Sequence, residues 1–482
     1  MLLTLVFIYL FITILIGLYA AKKVANPQDF AVAGKNLPLF MIVTTTFATW
    51  FGSETVLGIP AKFIKGGFHA LIEDPFGAGT CLILVGFFFA SRLYRMNLLT
   101  ISDFYRERFG STVEIICSIL IMLSYLGWVS AQVTALGLIF NVLSNGLIPI
   151  EAGMCIGVIS ILAYTIFGGM WSIAITDFIQ MIILVVGLSS LAYIATDLAG
   201  GFSNVLTAAH QRNLFIFFPE GSFKELLFFI GSAITMMLGS IPQQDVFQRV
   251  MSSKNIQAAK WGPILGGIFY IGFAFVPMYI AISTFVIMPQ EATQLLATDA
   301  QAILPTLVMT KMPFIMQVVF FGALLSAIKS TASATLLAPS ITFVENIWYQ
   351  IKPPANPKEQ LVRMRLTVLI FSCLVLCYAI IMRGKPIYEL VSEAYQVTLV
   401  GSFIPLSFGL YWKRATTQGA ILSMVGGIVA WLLFGMTWLG DVFPAELAGF
   451  LISLILMVIG STVYQYIKPQ HGEHRIFDEH GA

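Results

Sequence analysis

Apolar segments recur along almost the whole chain, and their lengths decide the first question. Roughly 20 consecutive apolar residues carry a helix across the hydrocarbon of a bilayer, and by that measure the pattern predicts about thirteen spans. They fall at 2–22, 37–61, 68–93, 112–142, 149–168, 172–198, 224–248, 259–288, 303–348, 362–382, 388–411, 416–436 and 445–467. The segment 303–348 is too long for one crossing. It divides at Pro313 into a short outer helix and the true span.

Two segments carry a break in mid-run. The first is Thr46-Phe-Ala-Thr-Trp-Phe-Gly-Ser-Glu-Thr55, where Gly52-Ser53 can interrupt a helix and Glu54 places a carboxylate at membrane depth. Polar groups there are costly and commonly functional. Broken midplane helices are how secondary transporters expose backbone groups to ions and substrate. The competing reading of this stretch is a locally polar helix packed against its neighbours. The second break lies in Met237-Leu-Gly-Ser-Ile-Pro-Gln-Gln-Asp-Val-Phe-Gln-Arg249, where Pro242 kinks or ends the helix. Asp245 and Arg249 are spaced to pair with each other at its inner end.

Composition narrows the class. Of 482 residues, 58% are hydrophobic and 10% charged, with mean hydropathy +0.88. A soluble domain carries about 25% charged residues. A net charge of +2 gives no basic surface for nucleic acid. The first apolar run has no positive n-region and no cleavage site, so it reads as a retained helix. Cys81, Cys117, Cys155, Cys373 and Cys377 all fall in apolar segments and read as small core residues. His69, His210, His471, His474 and His480 fall at span ends or in loops, with no spacing that holds a catalytic metal. An intramembrane enzyme is therefore disfavoured.

Lys and Arg sort by loop. With the N-terminus outside, most fall on the cytoplasmic side, and Lys62, Lys65, Arg212, Lys224, Lys311, Arg383 and Lys385 remain outside. The C-terminus is then cytoplasmic, with a short polar tail at 468–482. One cation has no loop: Lys329 sits in mid-span.

Around Lys329 the run Phe321-Gly-Ala-Leu-Leu-Ser-Ala-Ile-Lys-Ser-Thr-Ala-Ser-Ala-Thr335 is rich in hydroxyls. Small hydroxyl residues often serve only close packing. Adjacent Ser330 and Thr331 also offer two hard oxygens, which suit sodium when unwound carbonyls complete the shell. A further run, Gly168-Gly-Met-Trp-Ser-Ile-Ala-Ile-Thr-Asp-Phe-Ile-Gln180, carries Asp177, whose bland role is a helix cap.

The Gly168-Gly169 to Thr176-Asp177-Phe-Ile-Gln180 pattern, the Leu57-Gly-Ile-Pro60 run and the Ser330-Thr331 helix together resemble the sodium:solute symporter family, over nearly the whole chain. Phe47-Ala-Thr-Trp-Phe-Gly52 and Leu238 to Ser253 look most like its high-affinity choline branch, beside proline transporters. The resemblance implies two inverted five-helix repeats at 37–198 and 224–411. An extra N-terminal helix lies at 2–22, and two C-terminal helices lie within 416–467. It implies a sodium site built from the backbone oxygens of Ala48, Phe51 and Ala327 with the hydroxyls of Ser330 and Thr331. Asp177 would lie on the ion path. It further implies a substrate site beside the break, with Trp50 and Trp128 facing an organic cation.

Three residues depart from the pattern. Gln243 stands where choline transporters carry another tryptophan. Glu54 replaces a small residue, repels a carboxylate and favours a cationic or zwitterionic substrate, polyamines included; alternatively it pairs internally with Lys329. Lys329 stands where the family has an apolar residue. It can replace sodium and leave proton-coupled or uncoupled transport, carry the coupling proton itself, or point away toward an acidic partner.

The expectation is a secondary active transporter, not an enzyme. It imports a small choline-, betaine- or amino-acid-like solute across a bacterial inner membrane, with sodium as coupling ion and no other cofactor. A transporter-like sensor working with a separate signalling partner is the reading from another class, and the oligomeric state stays open.

Overall fold

The computed structural model describes residues 1–219 and 221–467, so the tail at 468–482, with His471, His474 and His480, lies outside the described residues. The described chain is all-α. Its one β-like feature is a parallel bridge between Leu37 and Ser253, which ties the entry of the first interrupted helix to the exit of the second.

The main helices are α1 (Leu2–Ala20), α2 (Leu39–Trp50), α3 (Ile59–Gly66), α4 (Phe68–Arg95), α5 (Ser111–Leu143) and α6 (Ile150–Leu198). They continue as α7 (Phe223–Gly239), α8 (Gln244–Ser252), α9 (Ile256–Ile287) and α10 (Phe314–Thr342). The last are α11 (Pro357–Ile381), α12 (Ile387–Thr398), α13 (Thr417–Gly435) and α14 (Ala445–Ile467). Among the described residues nine helices are long and apolar enough to cross a bilayer, or ten if the bent pair α7–α8 is one span. The larger sequence count came from segments that are helical but interrupted. One is α2–α3, and another is α6, which departs from helical geometry at Gly169 (φ 46°, ψ −137°). As expected, 303–348 divides at Pro313, with a short helix Ile303–Lys311 before α10.

The breaks have local causes. Helix α2 ends at Phe51 (φ −87°, ψ 68°), and the chain resumes as a wider π turn, Glu54–Gly58, before α3. Helices α7 and α8 meet at Ser240–Gln243 with a 42° bend, where Pro242 cannot donate to the helix ladder. At Gly169 a side chain is excluded, because a Cβ there would lie 2.3 Å from the Phe30 carbonyl oxygen.

Helix α10 is buried without interruption from Ala323 to Thr342. It packs against α5, α6, α2 and α1. Helices α13 and α14 pack on each other at the periphery. Cys81 and Cys117 are buried, but Cys373 and Cys377 on α11 are exposed and so are not core residues. Outward faces of membrane helices are as apolar as the interior, so hydrophobicity alone could not tell the two apart.

Candidate functional site

The break in α2 leaves the Ala48 carbonyl beside α10. Ser330 Oγ lies 2.9 Å from that oxygen and 2.6 Å from Asp177 Oδ1, and Thr331 Oγ1 lies 3.4 Å from the same carbonyl. Thr45 donates to Asp177 Oδ2 at 2.5 Å. All of these side chains are buried. Asp177 stands inside α6 beyond the Gly169 break, so it is a buried interior carboxylate rather than a cap. Ser330 has one hydroxyl proton and two acceptors within reach. With Thr331 and Thr45 it makes a buried cluster of hydroxyl, carbonyl and carboxylate oxygens, the donor type a hard monovalent cation takes. Ala327 and Ala48 line a narrow void with Gln180, Ser326 and Ser330. Phe51 is the residue at which the backbone leaves the helix. Helix α2 approaches α10 this closely only because residue 52 is glycine: a Cβ there would lie 2.7 Å from Thr331 Oγ1.

Aromatic rings gather on the other side of the break. Trp50 and Trp128 meet edge to face with centroids 6.1 Å apart, and Tyr395 lies 5.2 Å from Trp128 and 6.1 Å from Trp50. Tyr125 stacks on Trp128 at 5.9 Å. Each indole serves a carboxylate: Trp128 Nε1 donates to Glu54 Oε1 at 2.9 Å, and Trp50 Nε1 to Asp245 Oδ2 at 3.0 Å. Gln132 Nε2 donates to the other Glu54 oxygen at 2.6 Å, and the Tyr125 hydroxyl donates to Asp245. Gln243 is buried at the second break and donates to Ser124 (3.0 Å) and Thr398 (3.2 Å).

Several expected partnerships take another form. Glu54 does not pair with Lys329. Lys329 Nζ donates instead to Thr13 on α1 at 2.7 Å and lies over the Tyr164 ring at 5.4 Å. One residue along a helix turns the side chain by about 100°, so Lys329 faces α1 while Ser330 faces α2. No acidic residue is its partner among the described ion pairs. Asp245 and Arg249 do not join charge to charge. Arg249 donates to the Asp245 carbonyl oxygen (3.0 Å) and to Thr49 on α2 (2.6 Å), and both are buried rather than set at an exposed helix end. Sequence spacing could not reveal this, because the partners come from a helix nearly 200 positions away. Tyr125, Gln132 and Tyr395 also join the cluster. Glu393 is exposed and pairs with Lys385 at 2.6 Å. Thr45, and Asp74 held by Tyr270 at 2.7 Å, went unnoticed. The signal for Asp74 was a carboxylate inside an apolar segment.

A fold of interrupted helices around buried polar clusters defines a membrane transporter. The chain belongs to the sodium:solute symporter family, which matches over residues 30–427. Among curated relatives it is 26% identical to a high-affinity choline transporter of Caenorhabditis elegans, covering 89% of this chain and 77% of that one. It is 25% identical to the sodium/pantothenate symporter of Escherichia coli, covering 94% of each. The osmoregulated proline transporter OpuE of Bacillus subtilis is 24% identical, with 98% and 96% covered. A solved Na+-coupled sialic acid symporter shares the fold with a TM-score of 0.82 at 21% identity, over 96% of this chain and 98% of that one. The chain is therefore an integral membrane transporter and not an enzyme.

Proposed function

We propose that the protein is a sodium-coupled importer of a small organic cation or zwitterion, working by alternating access. The observation that carries this reading is the buried meeting of the Ser330 and Thr331 hydroxyls, the Ala48 carbonyl and the Asp177 carboxylate where α2 breaks against α10. Ala48, Phe51 and Ala327 would supply backbone oxygens, Ser330 and Thr331 hydroxyl oxygens, and Asp177 a charge on the ion's path. Trp50, Trp128 and Glu54 would face the solute, with Gln243 at the second break positioning the wall behind them. The repeats at 37–198 and 224–411 would rock about these breaks. An N-terminus outside and a C-terminus in the cytoplasm follow from the loop charges, in what is best read as a bacterial inner membrane. One sodium entering down a membrane potential supplies roughly 2.3 kcal/mol per 100 mV, before any concentration term. Lys329, directed at Thr13, leaves the ion position to sodium, and this disfavours the proton-driven or uncoupled alternative.

The test is uptake into proteoliposomes of radiolabelled choline, betaine, proline and diaminobutane. An inward sodium gradient is compared with an equal potassium gradient. Accumulation of at least one solute above its equilibrium level, only with sodium, is expected. Equal uptake in both gradients would remove sodium coupling.

A further inference from the structure

Four carboxylates lie buried around the two breaks, and their hydrogen bonds come from neutral donors. Glu54 is held by Trp128, Gln132 and Ser53, and Asp245 by Trp50 and Tyr125. Asp74 is held by Tyr270 and Glu73 by Ser392. None of the four makes an ion pair among the described residues. Two cations act on part of this charge from a distance. Arg249 acts on Asp245 and also on Asp177, and Lys62 acts on Glu73, Asp74 and Glu389. Lys329 is turned toward α1.

The carboxylates do not converge. Among the described residues no group of three acidic, histidine or cysteine side chains is close enough to hold one metal ion. Glu54 and Asp245 are instead held by different indoles, and those indoles meet edge to face. The two carboxylates are thus linked through a pair of touching rings. An independent feature points to a ligand here. The Tyr395 hydroxyl is fully buried and has no hydrogen-bond partner among the described residues, yet its ring touches both indoles. It lies within electrostatic range of Asp245, Glu54 and Asp74. A buried hydroxyl left unpartnered costs about 1–3 kcal/mol, which a bound N–H donor would recover.

We infer that the substrate is a linear dication, a short α,ω-diamine or polyamine, with one ammonium at Glu54 and the other at Asp245. Its methylenes lie across Trp50, Trp128 and Tyr395. Two separated carboxylates match two separated ammonium groups, and the rings match the apolar chain and add cation–π attraction at its ends. A single quaternary ammonium would leave one buried carboxylate without a counter-charge. This inference rests on the reading of the cluster as a transport site for organic cations.

The test is equilibrium binding of radiolabelled diaminobutane to the purified full-length protein in sodium buffer, with butylamine, choline and proline as competitors. Diaminobutane is expected to bind at least tenfold tighter than butylamine. Glu54→Gln and Asp245→Asn are each expected to erase that preference, because each leaves one ammonium unpaired. Size-exclusion profiles report that the variants fold; where one does not, the wild-type ratio alone decides. Butylamine or choline binding as tightly as diaminobutane would overturn the dication while leaving an organic-cation transporter in place. Proline alone binding would overturn the dication in favour of a zwitterion. Loss of saturable binding for every solute, in protein that still binds sodium, would overturn both the dication and the organic-cation reading.

Discussion

Ser330 can give its proton to the Ala48 carbonyl or to Asp177, but not to both. Thr331 also reaches that carbonyl and Thr45 the other Asp177 oxygen, so what marks the crossing is the buried gathering of oxygens from three helices. Replacing Ser330 by alanine removes one ligand and is expected to weaken sodium binding at least tenfold, about 1.4 kcal/mol. Gly52 sits at the same crossing. A Cβ there would lie 2.6 Å from Glu54 Oε2, 2.7 Å from Thr331 Oγ1 and 2.8 Å from Gln132 Oε1. Gly52→Ala is expected to cost about 1–3 kcal/mol by overpacking, read as a lower unfolding temperature in detergent. Lys329 predicts the opposite. Its ammonium is fully buried with a hydroxyl and a ring for company, and an apolar side chain in place of a buried charge is often neutral or stabilising. Lys329→Met is therefore expected to keep or raise the unfolding temperature. Thr13→Val, which strips the lysine of its hydroxyl partner, is expected to lower it by an amount corresponding to about 1–3 kcal/mol.

Interruption, more than helix length, organises the elements. The break at Phe51 frees the Ala48 carbonyl and sets the Trp50 indole on Asp245, just past the break at Ser240–Gln243, and the break at Gly169 lets α6 turn around Phe30. Gly169 holds a backbone conformation that side chains rarely adopt, and a Cβ would strike the Phe30 carbonyl. Gly169→Ala is accordingly expected to destabilise by about 1–3 kcal/mol, measurable by thermal unfolding of the purified protein. Both central breaks were legible in the sequence, because glycine, serine and proline inside an apolar run have few other meanings. Side-chain partners were much less legible. The four-residue spacing of Asp245 and Arg249 pointed to a local ion pair, but Trp50 and Thr49 on the other broken helix take those groups. Local spacing describes one helix, and these partners exist only after two helices cross.

For the whole molecule, the all-α membrane class followed from composition and segment length alone. The span count did not, since an interrupted span fails any test of continuous length. The facing of apolar residues was also hidden, as Cys373 and Cys377 on the outer side of α11 illustrate. The three-way convergence of α2, α6 and α10 is a property of the assembled fold. The proposed coupling ion would be held where the first broken helix meets the bundle, which can be tested without knowing the solute. The direct measurement is equilibrium binding of radioactive sodium to the purified protein, in wild type, Ser330→Ala and Lys329→Met. Saturable binding to wild type, lost in Ser330→Ala and kept in Lys329→Met, is the expected result. Absence of binding to wild type, with binding appearing in Lys329→Met, would mean that the lysine occupies the ion's place and would contradict sodium coupling.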